Sequence, residues 1–370
     1  MAPQVLETAD SRNKFEDLSG VDISAYANPY DALLEACNDD AVSDSVSSSY
    51  PGIGPREFYT YWLHVISQST SHSDILEEGK LIISQAQLQT RYATHRNTRN
   101  GQQKEKLLSP EFSGLIIDPI LERLMNPSIE PGFVDPRNCL VFWARPPSHI
   151  RSLVDQVQQK LLTLAPKLWL MPVTNLHLTA LELTHSLTEP QITSIIESLG
   201  PEAIEKITDF TYTHRPRLIK PMISYDGAAL ALSFLPAAGE GLPATATPSS
   251  DSSGRTKKDD DYTYHHLRRD LFNIASATGV TVDSRYVVPS SHITVGRFLT
   301  QEDHASPEKM VKFLELIEEI NGWLEKEFWP KGEEKNGEGE WLVGQERGLD
   351  FRMGTLWYGG GKTVRLGKGF

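Results

Sequence analysis

Along residues 138–370 two rhythms alternate: short apolar runs in steps of two, and longer runs in steps of three and four, which read as strands and as helices buried on one side. "NCLVFWARP" reads as a strand. "SHIRSLVDQVQQKLLTLAP" reads as a helix capped by Ser148, with Ile150, Val154, Val157, Leu161 and Leu164 on its apolar side. The run "LWLMPVTNLHLTALELT" predicts one strand, and "EPQITSIIESLG" a helix stopped at Gly200. The order then recurs, with "AALALSFLP" a strand, "YTYHHLRRDLFNIASATG" a helix ended by Gly279, and "SRYVVPSSHITVGRF" a strand. "SPEKMVKFLELIEEINGWLEKEF" is a helix opened by Ser306 and Pro307. "EWLVGQERGLDFRMGTLWYGGGKTVRLG" supplies two or three further strands with glycine turns. Twice, therefore, the order is strand, helix, strand, helix, a degenerate internal repeat of order rather than identity.

The front of the chain has a different texture. Residues 1–50 carry ten acidic and two basic side chains and many serines, which predicts a partly flexible segment with a short helix at "YDALLEAC". Residues 51–137 read as a mainly helical extension, with mixed three- and four-residue steps in "REFYTYWLHVI" and "LIIDPILERLM". Within it Arg91, Arg96, Arg99, Lys104 and Lys106 cluster, and a solvated helix end explains them better than a phosphate-attracting lid. The stretch 237–261, rich in Gly, Pro, Ser and charge, predicts a mobile surface insertion.

Composition narrows the class. With 39 % apolar and 23 % charged residues in 370, the chain is of soluble globular type and long enough for a sizeable core. Cys37 and Cys139 form neither a disulfide framework nor a metal-ligand spacing. No leader pattern or long apolar span is evident, so the expected location is the cytoplasm, with the nucleus left open and no membrane partner. A net charge of −13, of which −8 falls in residues 1–50, argues against gripping duplex DNA, while a small phosphate ligand remains compatible.

The chemistry lies in two strand segments, 115 positions apart. Each carries a histidine and a threonine two residues apart, His177 and Thr179 in "HLTALE" and His292 and Thr294 in "HITVGR". In a strand, residues two apart share a face, so each pair projects opposite an apolar, core-facing side. If two opposed halves meet, the pairs share a cleft, and one neutral and one protonated imidazole would serve as general base and general acid. The hydroxyls can hold the non-bridging oxygens of a phosphate. That set suffices to cleave a phosphodiester with no cofactor and no metal. Tyr286, six residues before His292, has the parity to share its face and stack on a base, unless Pro289 breaks the phase.

The paired motifs, with the strand and helix order around them over 138–370, resemble the 2H phosphoesterase superfamily of RNA 2′,3′-cyclic phosphodiesterases and 2′-5′ RNA ligase-like proteins. The resemblance implies an α+β, bilobal fold of two pseudo-repeated halves with the motifs on central strands, here behind a helical N-terminal extension. It implies His177 and His292 as the catalytic pair and Thr179 and Thr294 as phosphate ligands. The expected substrate is a nucleotide or short RNA with a 2′,3′-cyclic phosphate or related phosphoester, giving a 2′- or a 3′-phosphate. Arg297 stands where several relatives carry an arginine, and Glu182 at the comparable place after the first motif; strict alternation turns Arg297 away from His292. A non-catalytic phosphate binder, or an enzyme acting on a non-phosphate metabolite, are the alternatives, and oligomeric state is left open.

Other signals are weaker. "TLWYGGGKTV" has Leu356 where a phosphate-binding loop needs glycine and reads as a hairpin turn. The adjacent His265 and His266 point to different sides of a helix and predict no metal site there.

Overall fold

The computed structural model describes residues 21–22, 26–37, 85–244, 254–331 and 337–370. It is a mixed α and β structure built on a curled antiparallel half-barrel sheet. Among the described residues, three helices precede the sheet: α1 (29–37), α2 (Gln85–Leu108) and α3 (Pro119–Met125). There follow β1 (Asn138–Ala144), α4 (Ser148–Leu162), β2 (Trp169–Leu170), β3 (Leu178–Leu187) and α5 (Glu189–Asp209). Then come β4 (Arg217–Tyr225), β5 (Ala229–Pro236), α6 (Tyr264–Ser276), β6 (Ser291–Arg297), α7 (Pro307–Phe328), β7 (Trp341–Leu342), β8 (Asp350–Gly354) and β9 (Lys362–Leu366).

Strand order across the sheet is β7-β4-β5-β6-β3-β1-β8-β9, with β2 added against β6. The order is balanced about the β6–β3 seam, four strands to each side, and each motif strand lies at that seam. On the core face, Leu140, Phe142, Leu178, Ile293 and Val295 are buried under the helices. On the opposite face Cys139, Val141, Trp143 and Leu356 form a small separate apolar cluster with Trp357, one wall of a cleft. The alternation read from β1 is thus two-sided, core on one face and cleft wall on the other.

Several expected elements take other bounds. The long strand "LWLMPVTNLHLTALELT" is two, because Pro172 opens a short 3₁₀ turn over Val173–Asn175 and β3 begins at Leu178, leaving His177 at its threshold. The strand expected over "SRYVVPSSHITVGRF" is confined to Ser291–Arg297. The helix does stop at Gly200 as expected: at φ 72 that residue is non-helical, and Pro201 starts a second helical segment running to Asp209, the two together making up α5. Ser148 is the first residue of α4 rather than its cap; Pro147 holds that position and makes no side-chain cap bond. In "LIIDPILERLM" only Pro119–Met125 is helical, capped by Asp118, whose carboxylate accepts from the Ile120 and Leu121 N–H groups. At α7 the expected cap is present, Ser306 accepting from the Lys309 N–H.

The front of the chain is tied to the sheet. In α1, Tyr30, Leu33, Leu34 and Cys37 join the core; Asn28 bonds Asn273 of α6, and Tyr30 accepts at its carbonyl from His265 Nε2. His265 is completed by the Tyr92 hydroxyl at 2.9 Å from Nδ1, a satisfied core histidine. The described flanks of the 237–261 stretch are packed against the sheet. Ala237 and Leu242 are buried, and Asp260, 1 % exposed, pairs with the buried Arg217 and with Arg255. A carboxylate paired with two guanidiniums pins the returning chain. Residues 245–253 and the segment "REFYTYWLHVI" lie outside the described residues. Among the described residues, no helix is long and apolar enough to cross a membrane.

Candidate active site

The two motifs meet. β3 and β6 pair antiparallel through Leu178 and Ile293, whose side chains face the core. That register sets His177 opposite Thr294 and Thr179 opposite His292, all four on the other face. The histidines occupy one diagonal of this square and the threonines the other, and diagonal neighbours across such a pair are roughly 7–8 Å apart. All four side chains, with Tyr286, line one cavity. Tyr286 reaches it from the loop before β6 rather than by strand parity, its ring centroid 6.0 Å from that of His292.

Two bulges enlarge the site beyond what alternation allows. Between β1 and β3, Trp143 faces Thr179 while Phe142 faces Leu181, so Ala180 is extra. Between β5 and β6, Ala231 faces Thr294 while Leu230 faces Gly296, so Val295 is extra. One inserted residue reverses the phase of all that follow. Glu182 and Arg297, each five residues after its histidine, therefore return to the cleft face and line the cavity. The expectation that Arg297 points away is corrected by this insertion. The second bulge is held by the Val295 carbonyl, which accepts from the Met171 N–H at 3.1 Å and from the buried Gln158 amide at 2.9 Å. Gly296 then lies so close to β2 that a Cβ there would sit 2.9 Å from the Trp169 carbonyl oxygen.

Each imidazole has a fixed orientation. His177 Nδ1 lies 2.8 Å from the Asn175 carbonyl, which only accepts, so Nδ1 carries the proton and Nε2 is left with a lone pair. Arg145 steadies that turn, donating to the Asn175 and Leu176 carbonyls while paired to Asp350 at 2.8 Å. Below the ring, Trp143 stacks at 3.7 Å and 16°. His292 Nδ1 meets the Ser290 hydroxyl at 2.9 Å, a partner able to donate or accept.

Burial pushes His177 down to about 3, opposed by the Asn175 bond and helped by the positive charge of Arg145. His292 is pushed down to about 4, again by burial first and then by Arg99 and Arg268. Each ring keeps an edge on the cavity. Burial therefore favours the neutral form of both rings.

The walls are charged in a managed way. Glu182, 1 % exposed, accepts from Arg285 through Nη2 at 2.6 Å, Nε at 3.1 Å and the backbone N–H at 2.9 Å. Arg285 in turn lies over the Trp357 ring at 4.2 Å. Trp357 and Leu356 come from the β8–β9 hairpin, the expected turn at "TLWYGGGKTV", and composition gave no sign that this turn would border the cleft. The basic cluster divides. Arg96 and Arg99 are not a solvated helix end but sit inside α2 and line the chamber beyond His292, whereas Lys106 is exposed. Among the described residues, no group of three or more His, Cys, Asp or Glu side chains is placed to hold a metal ion.

What the arrangement can do is set by its parts: two neutral imidazoles, two hydroxyls and an arginine converge on a space suited to a small anion. No family model matches the chain, and no curated protein sequence matches it.

Proposed function

We propose that the protein is a metal-independent phosphodiesterase of 2H type, cleaving a cyclic or linear 2′/3′-phosphoester of a nucleotide or RNA end. The observation that carries this reading is the β3–β6 register, which brings two His-x-Thr pairs from opposite halves of the sheet around one cavity. The balanced strand order and the repeated strand, helix, strand, helix sequence support the bilobal 2H fold.

In this mechanism Thr179 and Thr294 donate to the non-bridging phosphate oxygens, and Arg297 offsets their charge. His177, with its Nε2 lone pair facing the cavity, takes a proton from the attacking water. His292 protonates the departing ribose oxygen. Because both rings are neutral in the open site, the acid's proton must arrive with the substrate, whose negative charge favours the imidazolium. His292 suits that role, since it is the less depressed of the two and Ser290 can accept from its Nδ1–H. The P–O bond to the ribose breaks as the new P–O bond forms, leaving a phosphomonoester. Proton exchange with solvent then resets the pair.

The test is incubation with the four 2′,3′-cyclic nucleotides in EDTA, with identification of the product isomer. Turnover is expected in the wild type, and His177→Ala and His292→Ala should each lower kcat at least roughly 10²-fold with the fold intact. Full activity in either variant removes the acid–base assignment, and tight binding without product makes the protein a binder.

A further inference from the structure

The cleft continues past the two histidines. From His292, Thr294 and Arg297 a chamber extends over β5 and β4, and α2 forms its roof. Tyr92, His95, Arg96 and Arg99 line it from one face of that helix, at spacings of three, four and seven. The helix is fastened across β4: Arg96 Nη1 donates to the Lys220 carbonyl at 2.8 Å, Asn100 to the Ile223 carbonyl at 3.1 Å, and Arg99 pairs with Asp226 at 2.7 Å. Thr294 faces Ala231 on β5, and Ala231 faces Ser224 on β4. Two strand spacings, roughly 10 Å, therefore separate the Thr294 row from the strand under α2.

The charge in this chamber is unbalanced at one residue. Arg96 is 6 % exposed, and its contacts are one carbonyl and the Trp329 ring at 5.8 Å. Among the described residues no carboxylate pairs with it, and its Nε is buried without a hydrogen-bond partner. Burial pushes its pKa down to about 10, so it still carries its charge. A buried guanidinium with an unmet donor beside a cavity is costly alone and well matched to an oxyanion. Tyr286 and the apolar Ala231 and Val288 line the same chamber and are suited to a sugar and base.

We propose that this chamber binds a second phosphate, one nucleoside away from the phosphoester held by the His-x-Thr pairs, so that α2 selects ligands with phosphate on both sides of the sugar. The inference rests on the phosphodiesterase reading for the first phosphate, but its test reads binding and not turnover. Calorimetry compares adenosine 3′,5′-bisphosphate with adenosine 3′-monophosphate, on the full chain. The bisphosphate should bind the wild type at least tenfold more tightly. Arg96→Gln should bring that ratio close to one, Arg96→Lys should keep part of it, and Arg99→Gln, a change at a less buried position, should lower it even if Arg96→Gln fails to fold.

The second phosphate has two sources, a free nucleotide or the neighbouring link of an RNA strand. The dinucleotide ApA with a 3′-phosphate separates them: preference for it over the bisphosphate marks a diester, the reverse a monoester. Equal affinity of the wild type for all three probes, binding of none of them, or a ratio unchanged in every folded variant overturns the inference. Turnover of cyclic nucleotides with no phosphate preference refutes the second site alone; preference without turnover refutes the phosphodiesterase reading alone.

Discussion

Replacing both site histidines, His177→Gln and His292→Gln, should make the protein less sensitive to acid, and the size of the effect follows from the burial of the rings. In the unfolded chain each imidazole titrates near 6.5, whereas in the native site the values fall to about 3 and about 4. Above 6.5 neither state binds these protons and stability is at its full value. As pH falls below 6.5 the unfolded chain takes them up and the native state does not, so stability falls until the native rings titrate. At pH 5 each ring should account for about 2 kcal/mol of lost stability, and the pair for about 4 kcal/mol, at ~1.4 kcal/mol per pH unit below 6.5. The figure requires only that both rings stay neutral at pH 5. Urea unfolding at pH 7.5 and pH 5.0 measures it: the wild type should lose about 4 kcal/mol more than the double variant between the two. His265 and His266, which are also depressed, are present in both proteins and cancel. Equal losses would mean that the site imidazoles are protonated in the native state at pH 5, and the account of how the acid acquires its proton would fail with them.

Two further outcomes follow from the walls of the cleft. Glu182→Ala strands the Arg285 guanidinium, itself 7 % exposed, and should cost roughly 3–5 kcal/mol in urea unfolding; Glu182→Ala with Arg285→Ala should recover part of that, and an additive pair would deny the coupling. Gly296→Ala pushes a Cβ to within 3.0 Å of both the Trp169 carbonyl and the Leu168 side chain, so it should cost about 1–3 kcal/mol and lower kcat by displacing Arg297. Wild-type activity in that variant would remove Arg297 from the site.

How far the sequence revealed this molecule depended on the range of the interaction that decides each feature. Period-two and period-3.6 patterns sufficed for β1, β5, α6 and α7, where side-chain burial alone sets the element. The strand β4 went unmarked because Pro221 interrupts "RLIKPMISY"; its ladder tolerates the proline by skipping register between Ile219 and Met222. The His-x-Thr faces were readable because two residues in a strand share a side whatever the partner. Arg297 was not, since its direction is set by the bulge, and the bulge by Gln158 and Met171, 137 and 124 positions away in sequence. Arg96 differs from expectation for the same reason: its charge suggests a solvated position, while the segment it packs on, around Lys220, lies 124 positions downstream.

The two bulges also explain how a near-symmetric sheet can yield an asymmetric site. Each half presents histidine, threonine and a third residue at the same offsets, and in each the inserted residue, Ala180 or Val295, brings the third back to the cleft face. Geometry is therefore repeated while charge is not: the first half supplies Glu182 and the second Arg297. A free carboxylate in that position would repel a phosphate, and Glu182 is instead consumed by Arg285, whose guanidinium caps both of its oxygens. The first half thereby contributes a closed carboxylate–guanidinium pair and the second a guanidinium on the cavity wall at the same offset. In the proposed mechanism that difference places the proton donor, His292, in the half that carries the arginine, and the base, His177, in the half of the ion pair, stacked on Trp143 with its tautomer fixed by Asn175.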